Sequence, residues 1–200
     1  MLNRAEAGKP MSGYRVGYMI GSLSTDSINR TLATALTRLA PKGLKFVEIP
    51  IGDLPLYNRD LDDDYPPAGR VLKDAIAAID ALLFVTPEYN RGVPGVLKNA
   101  IDWASRPYGT NSFAHKPSAV IGASPGKIGT AVAQQSLRSA LSFCNSPQMT
   151  APEAYIQFTP GLITDDGEVT EASTEQFLRE YMEAFGAFVT RVLTVLPRVR

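Results

Sequence analysis

Two rhythms alternate along this chain. Short runs of continuous or alternating apolar residues give way to stretches in which apolar residues return every three or four positions, the periods of strands and of amphipathic helices. Tyr14–Ile20 predicts a first strand, and Asp26 to Leu39 a helix with Ile28, Leu32, Ala35, Leu36 and Leu39 on one face. Pro41-Lys-Gly43 ends that helix, and Leu44–Ile49 predicts a second strand. Pro50 to Tyr65, with two prolines and five aspartates, predicts a loop. A helix over Ala68–Ile79 leads to Ala81–Val85, a continuous apolar run of the kind found in a central parallel strand covered on both faces. Thr86–Gly95 is a loop and Val96–Ser105 a helix. Its stripe is Val93, Leu97, Ala100, Ile101 and Ala104, with Val96 and Trp103 on a separate edge. Lys116–Ile121 is the fourth strand, Gly122–Gly129 a loop, and Thr130–Phe143 a helix. That helix is apolar at Ala131 and Val132 and again at Leu137, Ala140, Leu141 and Cys144, more than one partner needs. A fifth strand lies within Met149–Phe158, and Ser173–Leu193 is a final helix.

Strand–helix alternation repeated five times predicts a parallel sheet with helices on both faces and right-handed crossovers. Five units suit an α/β, flavodoxin-like three-layer sandwich with a five-stranded sheet of order 2-1-3-4-5. In that order the chain reverses direction between strands 1 and 3, and ligands sit beyond the carboxyl ends of the strands there. The loops after strands 1, 3 and 4 then converge on one crevice. Residues 13–200 are expected to form one domain, with 1–12 a mobile tail.

Composition narrows the classes. Lys plus Arg equals Asp plus Glu at 20 each, so no basic excess points to nucleic acid, and near-neutrality favours self-association. One cysteine, Cys144, and one histidine, His115, leave no internal disulfide and no Cys/His metal cluster. Cys144 is expected to be a buried hydrophobe and His115 an exposed loop residue. No apolar run approaches the length of a membrane span, and Met1–Ser12 lacks the apolar core of a secretory signal, so the cytoplasm is the expected compartment.

Several chemistries fall away for want of their motifs. There is no G-x-G-x-x-G for a dinucleotide. Gly122-Ala-Ser-Pro-Gly-Lys127 is one residue short of a P-loop and Ile128 stands where Ser or Thr is required. A Ser/His/Asp hydrolase would have to use the chain's one histidine, His115. The end of strand 1 carries Gly21 and Ser22 where a phospho-receiver needs acids. The three loops remain. Gly21-Ser-Leu-Ser-Thr-Asp-Ser-Ile-Asn-Arg30 joins a strand to a helix, where free N–H groups and the helix dipole favour an anion. Ser22, Ser24, Thr25, Ser27 and Asn29 add side-chain donors, although the same residues also describe an ordinary helix cap. Thr86-Pro-Glu-Tyr-Asn90 offers an aromatic ring and backbone groups to a flat heteroaromatic ligand, or is a plain turn. Ser124, Gly126 and Gly129 let backbone approach that ligand closely, or mark a helix-start loop.

Read together, Gly21-Ser-Leu-x-x-x-Ser27-x-Asn29, Pro87-Glu-Tyr-Asn90 with Pro94-Gly95-x-Leu97-Lys-Asn-x-x-Asp102-Trp103, and Gly122-x-Ser124-x-Gly126-x-x-Gly129 resemble the NAD(P)H-dependent FMN reductase family, in particular bacterial quinone, chromate and ferric reductases of the ChrR and FerB type. The resemblance runs from about Tyr14 to Leu193. It implies non-covalent FMN, with Ser22, Ser24, Ser27, Ile28 and Asn29 at the phosphate, Pro87, Glu88, Tyr89 and Asn90 at the isoalloxazine, and Ser124, Gly126, Lys127 and Gly129 on its other flank. Some members carry Arg where this chain has Ser24; Arg30 is a candidate replacement. The resemblance further implies ping-pong transfer from NADPH or NADH to a quinone, chromate, an azo compound or a ferric chelate, with no metal and no membrane. It also implies a homodimer or dimer of dimers, to which the Val96/Trp103 and Leu137/Leu141 edges, Arg91 and Arg138 are candidate contributors. A flavodoxin-type electron carrier and a non-catalytic domain on the same fold are the alternatives.

Overall fold

Strand order is β2-β1-β3-β4-β5, with every neighbouring pair parallel, as the alternation requires. The computed structural model describes residues 13–196; the tail expected at 1–12 lies outside them. The strands are β1 (Tyr14–Ile20), β2 (Leu44–Glu48), β3 (Ala81–Val85), β4 (Ser118–Ser124) and β5 (Tyr155–Gln157). The helices are α1 (Ile28–Leu39), α2 (Pro67–Ala77), α3 (Gly95–Ala104), α4 (Ala131–Phe143) and α5 (Ala172–Val195).

Alternate side chains of the sheet feed two cores. Val16, Ile20, Leu83, Val85 and Ile121 meet α1 and α5 on one face. Met19, Leu82, Phe84 and Val120 meet α2, α3 and α4 on the other. β3 is buried along its whole length, which is why it reads as unbroken apolar sequence. Tyr181 of α5 is fully buried, and its hydroxyl donates to Val120 O at 2.9 Å, satisfying the one polar atom it brings inside.

Two expectations need correction. β4 does not stop at Ile121: Gly122, Ala123 and Ser124 pair with β5, so the start of the expected loop is strand. β5 lies within Met149–Phe158, as expected, and is three residues long, with Pro152, which has no N–H to give a ladder, shortly before it. The apolar edges offered for dimerisation at Trp103, Leu137 and Leu141 are fully buried within this chain. The loop of residues 50–65 covers Trp103. Tyr57 and Tyr65 meet its ring edge-on at 5.0 Å each, the Tyr65 hydroxyl donates to Trp103 O, and Trp103 Nε1 donates to Pro55 O at 2.6 Å. Asn99 brackets the same loop, donating to Pro55 O at 2.9 Å and accepting from Tyr57 N at 2.8 Å. Cys144 is buried and His115 exposed, as expected.

Candidate functional site

The carboxyl ends of β1, β3 and β4 lie side by side. Gly21 N donates to Val85 O at 2.9 Å and Thr86 N to Ile121 O at 3.0 Å, so the ladder carries on just past the strands and fixes where their loops begin. A Cβ on Gly21 would stand 2.6 Å from Thr86 Oγ1, so only glycine permits this approach. Between the loops is a cavity of about 230 Å³. Of the expected residues, Ser22, Ser24, Ser27, Ile28, Asn29, Pro87, Glu88, Tyr89 and Ser124 line it. Asp26, Ala123 and Pro125 line it too and were not singled out from the sequence. Asn90, Gly126, Lys127 and Gly129 stand outside it. Gly129, at φ +58°, is required for another reason, since a Cβ there would come within 2.8 Å of the Tyr155 backbone.

The β1–α1 corner presents unused donors. Ser27 occupies the N-cap position of α1 with extended backbone, yet its side chain makes no capping bond. The residue is only 6% exposed, and its hydroxyl has no partner among the described residues. The Ser27 carbonyl takes Arg30 N and Thr31 N, which leaves the amides of Ile28 and Asn29 without acceptors among the described residues. Ser22 is also buried, its Oγ accepting from Ser24 N at 3.3 Å and lying 3.5 Å from the Tyr89 hydroxyl.

Asn29 differs from the expectation that its side chain serves a ligand. Its Nδ2 donates to Ala123 O and its Oδ1 accepts from Ala123 N, both at 2.9 Å and buried. The side chain thereby acts as one more strand rung and bolts the start of α1 to the end of β4. Arg30, the candidate phosphate cation, is instead held by Glu48 through two bonds of 2.9 and 3.0 Å. Those bonds raise the guanidinium pKa, while burial and Glu48 raise that of Tyr18, whose hydroxyl reaches Glu48 at 3.4 Å.

The loop after β3 is a two-residue hairpin. Tyr89 and Gly92 exchange backbone bonds of 3.2 and 3.0 Å around Asn90 and Arg91, at φ +51° and +61°. Paired positive φ values mark a type I′ turn, where Asn is at ease and Arg is strained. Tyr89 is 51% exposed at the mouth of the cavity. Glu88 holds the hairpin down, and does so with nearly all of its side chain buried. Its Oε2 accepts from Val132 N and Ala133 N of α4 at 3.0 Å each, and its Oε1 from Arg91 Nη1 at 3.0 Å. The carboxylate is thus the N-cap that Thr130 does not supply, because Thr130 Oγ1 accepts from Gln134 Nε2. Glu88 was expected to face a ring; in this chain it fastens the second loop to the third. Arg138, a candidate for facing another subunit, turns inward: Nη1 donates to Met149 O at 2.8 Å, and Nε and Nη2 are enclosed without a partner among the described residues.

A larger cavity of about 360 Å³ lies away from these loops, beside Asp80, Asn111, His115 and Lys116. It opens at the amino ends of β3 and β4, where sheets of this order do not place their ligands.

At about 230 Å³ the loop cavity is smaller than the roughly 300–1,000 Å³ of typical ligand sites. It suits the phosphate and sugar-alcohol end of a flavin nucleotide, with two free amides and a free hydroxyl for the oxyanion. A ring would extend over the exposed Tyr89 hairpin. The residues present fit FMN in that sense.

Comparison with known proteins points the same way. Residues 14–160 match the family described as NADPH-dependent FMN reductase. A 2-hydroxy-1,4-benzoquinone reductase from Burkholderia sp. is 45% identical over 175 residues, 88% of this chain and 96% of the relative. A quinone reductase from Pseudomonas putida is 45% identical over 177 residues, 88% of this chain and 95% of its own. Among solved structures, the flavoenzyme NAD(P)H:(acceptor) oxidoreductase FerB from Paracoccus denitrificans superposes with a TM-score of 0.86 at 48% identity, covering 89% of this chain and 98% of FerB. The chain belongs to the NADPH-dependent FMN reductase family.

Proposed function

We propose that this member of the NADPH-dependent FMN reductase family is an FMN-dependent oxidoreductase passing electrons from NADPH or NADH to quinones. The observation that carries the reading is one sheet edge holding both an oxyanion cradle with unused donors, at Ser27, Ile28 and Asn29, and an exposed aromatic hairpin at Tyr89. When bound, FMN supplies the hydride chemistry, accepting two electrons from the nicotinamide and releasing them to the acceptor. The chain's residues bind and orient it. Ser22, Ser27 and the first amides of α1 hold the phosphate, and Asn29 fixes those amides in place through Ala123. The Pro87–Asn90 backbone offers edge contacts to the ring, and the Glu88 clamp keeps the hairpin at a set height above α4. Ser124 and the Pro125–Gly129 turn flank the other side.

Tyr89 leaves the ring face open, which supports serial use of one face by donor and acceptor, hence ping-pong kinetics, and acceptors as varied as chromate, ferric chelates and azo compounds. Exposed Tyr89 at the mouth, with Ile128 and Val132 exposed on the neighbouring loop and helix, supports a homodimer or dimer of dimers. The cytoplasm, where reduced nicotinamides are available, is the matching compartment; no described helix is long and apolar enough to cross a membrane.

The test is reconstitution with FMN followed by mixing with NADH or NADPH. A yellow protein that bleaches, regains colour on adding a benzoquinone and gives parallel double-reciprocal lines is expected. Protein that takes up no flavin, or whose colour neither nicotinamide bleaches, overturns the reading.

A further inference from the structure

The cradle at the start of α1 has an unusual charge environment. The ionisable side chains lining the cavity are Asp26, Glu88 and Tyr89; no Lys or Arg is among the lining residues. The cations nearby in sequence are accounted for elsewhere. Arg30, in the first turn of α1, is held by two bonds to Glu48, and Arg91 is paired with Glu88. Lys127 stands exposed on the Pro125–Gly129 turn, outside the lining. The donors are all uncharged: the buried Ser27 hydroxyl, which lines the cavity and has no other partner among the described residues, and the Ile28 and Asn29 amides. These positions are pre-set, since the Asn29–Ala123 bracket fixes the helix start with or without a ligand.

We infer that this chain grips the cofactor's phosphate with uncharged hydrogen-bond donors and no cation, so that salt does not weaken the grip. The inference rests on the FMN reading above and adds what selects the phosphate. A cation on the phosphate makes an attraction that salt screens, so the dissociation constant rises with ionic strength. Hydrogen bonds from the α1 amides and a hydroxyl are screened little, and of the two carboxylates lining this cavity Glu88 is paired with Arg91 while Asp26 has no ion pair among the described residues and repels the phosphate. Screening those carboxylates leaves the dissociation constant flat or lowers it. The two arrangements differ in the sign of the salt effect.

The experiment titrates flavin-free protein with FMN, and separately with riboflavin, by quenching of flavin fluorescence. For FMN, a dissociation constant that stays within about twofold or falls between about 20 and 500 mM NaCl is expected. Ser27→Ala should weaken FMN by about tenfold or more and riboflavin by less than about twofold, because the lost bond is to a charged oxygen. Ser24→Arg, at an exposed lining position, should tighten FMN at low salt and make its dissociation constant rise with salt. That variant shows that a cation at the mouth is detectable. An FMN dissociation constant that rises about tenfold with salt in the unaltered chain, with riboflavin unmoved, places a cation on the phosphate; it overturns the inference and leaves the FMN reading standing. Equal loss of both flavins in Ser27→Ala also overturns it. Failure of the unaltered chain to bind either flavin overturns the inference and the FMN reading together.

Discussion

Two helices begin at the same edge of the sheet, and they meet the same shortage in opposite ways. Neither α1 nor α4 has a capping bond from its own N-cap side chain. At α4 the chain fills the vacancy itself: Glu88, reaching over from the loop after β3, accepts the amides of Val132 and Ala133. At α1 the amides of Ile28 and Asn29 and the Ser27 hydroxyl are left without partners among the described residues. A helix start attracts an anion whatever the source. Where the anion belongs to the protein the site is structural; at α1, where none is provided beside a cavity, the proposed function places a ligand. The α4 end shows, within this molecule, a carboxylate accepting the first amides of a helix.

Changes that separate fastening from binding sharpen that contrast. The largest effect is expected at Asn29, whose side chain bonds both the backbone N–H and the backbone C=O of buried Ala123. Asn29→Ala orphans both and should lower stability by about 2–4 kcal/mol in urea unfolding of flavin-free protein. A loss under about 1 kcal/mol would mean the bracket is not what fixes α1.

Next comes Glu88. Glu88→Ala uncaps α4 and frees a strained hairpin, at an expected cost of about 2 kcal/mol. Glu88→Gln keeps one acceptor oxygen for the α4 amides and should recover about half of that. FMN affinity should fall in the same order, measured by fluorescence titration. If flavin-free stability is unchanged in Glu88→Ala, the two helix starts are alike after all and the contrast breaks.

Ser27→Ala should leave flavin-free stability within about 0.5 kcal/mol, against about 1 kcal/mol for a serine that caps its helix. A full-sized loss would show that the hydroxyl serves the fold. The smallest effect is expected at Arg91. Arg91→Gly relieves backbone strain at φ +61° but gives up an ion pair whose arginine is 67% exposed, and the two should cancel to within about 0.5 kcal/mol. Arg91→Val, which cannot adopt that φ easily, should cost about 1–2 kcal/mol by thermal unfolding.

Much of the fold was legible in the order of residues because strand and helix periods are local properties. β1, β3, α1 and α3 could be drawn from apolar spacing, and the strand order followed from their alternation. Most of the proposed site residues were also legible, since serine and glycine after a strand announce themselves. What could not be read were the partners. Asn29 has the look of a ligand-facing residue, yet it is used on Ala123, 94 positions away. Glu88 sits in a motif read as ring-facing, yet it caps a helix that starts over forty residues later. Trp103 read as an uncovered edge because the loop that covers it, 50–65, has no period to reveal where it lies. Gly122 to Ser124 read as loop because only β5 and Asn29 make them strand.

By itself, then, the sequence determined which elements form, which strand ends come together and which donors gather at the first loop. These follow from side-chain period and backbone preference within a few residues. Only the tertiary structure decided which of those polar groups are already spent. A hydrogen bond between distant segments leaves no trace in local spacing, and whether a donor is free depends on what folding brings within 3 Å of it. For the α1 start, that decision left Ser27 and two amides unclaimed among the described residues, the donors on which the proposed phosphate site rests.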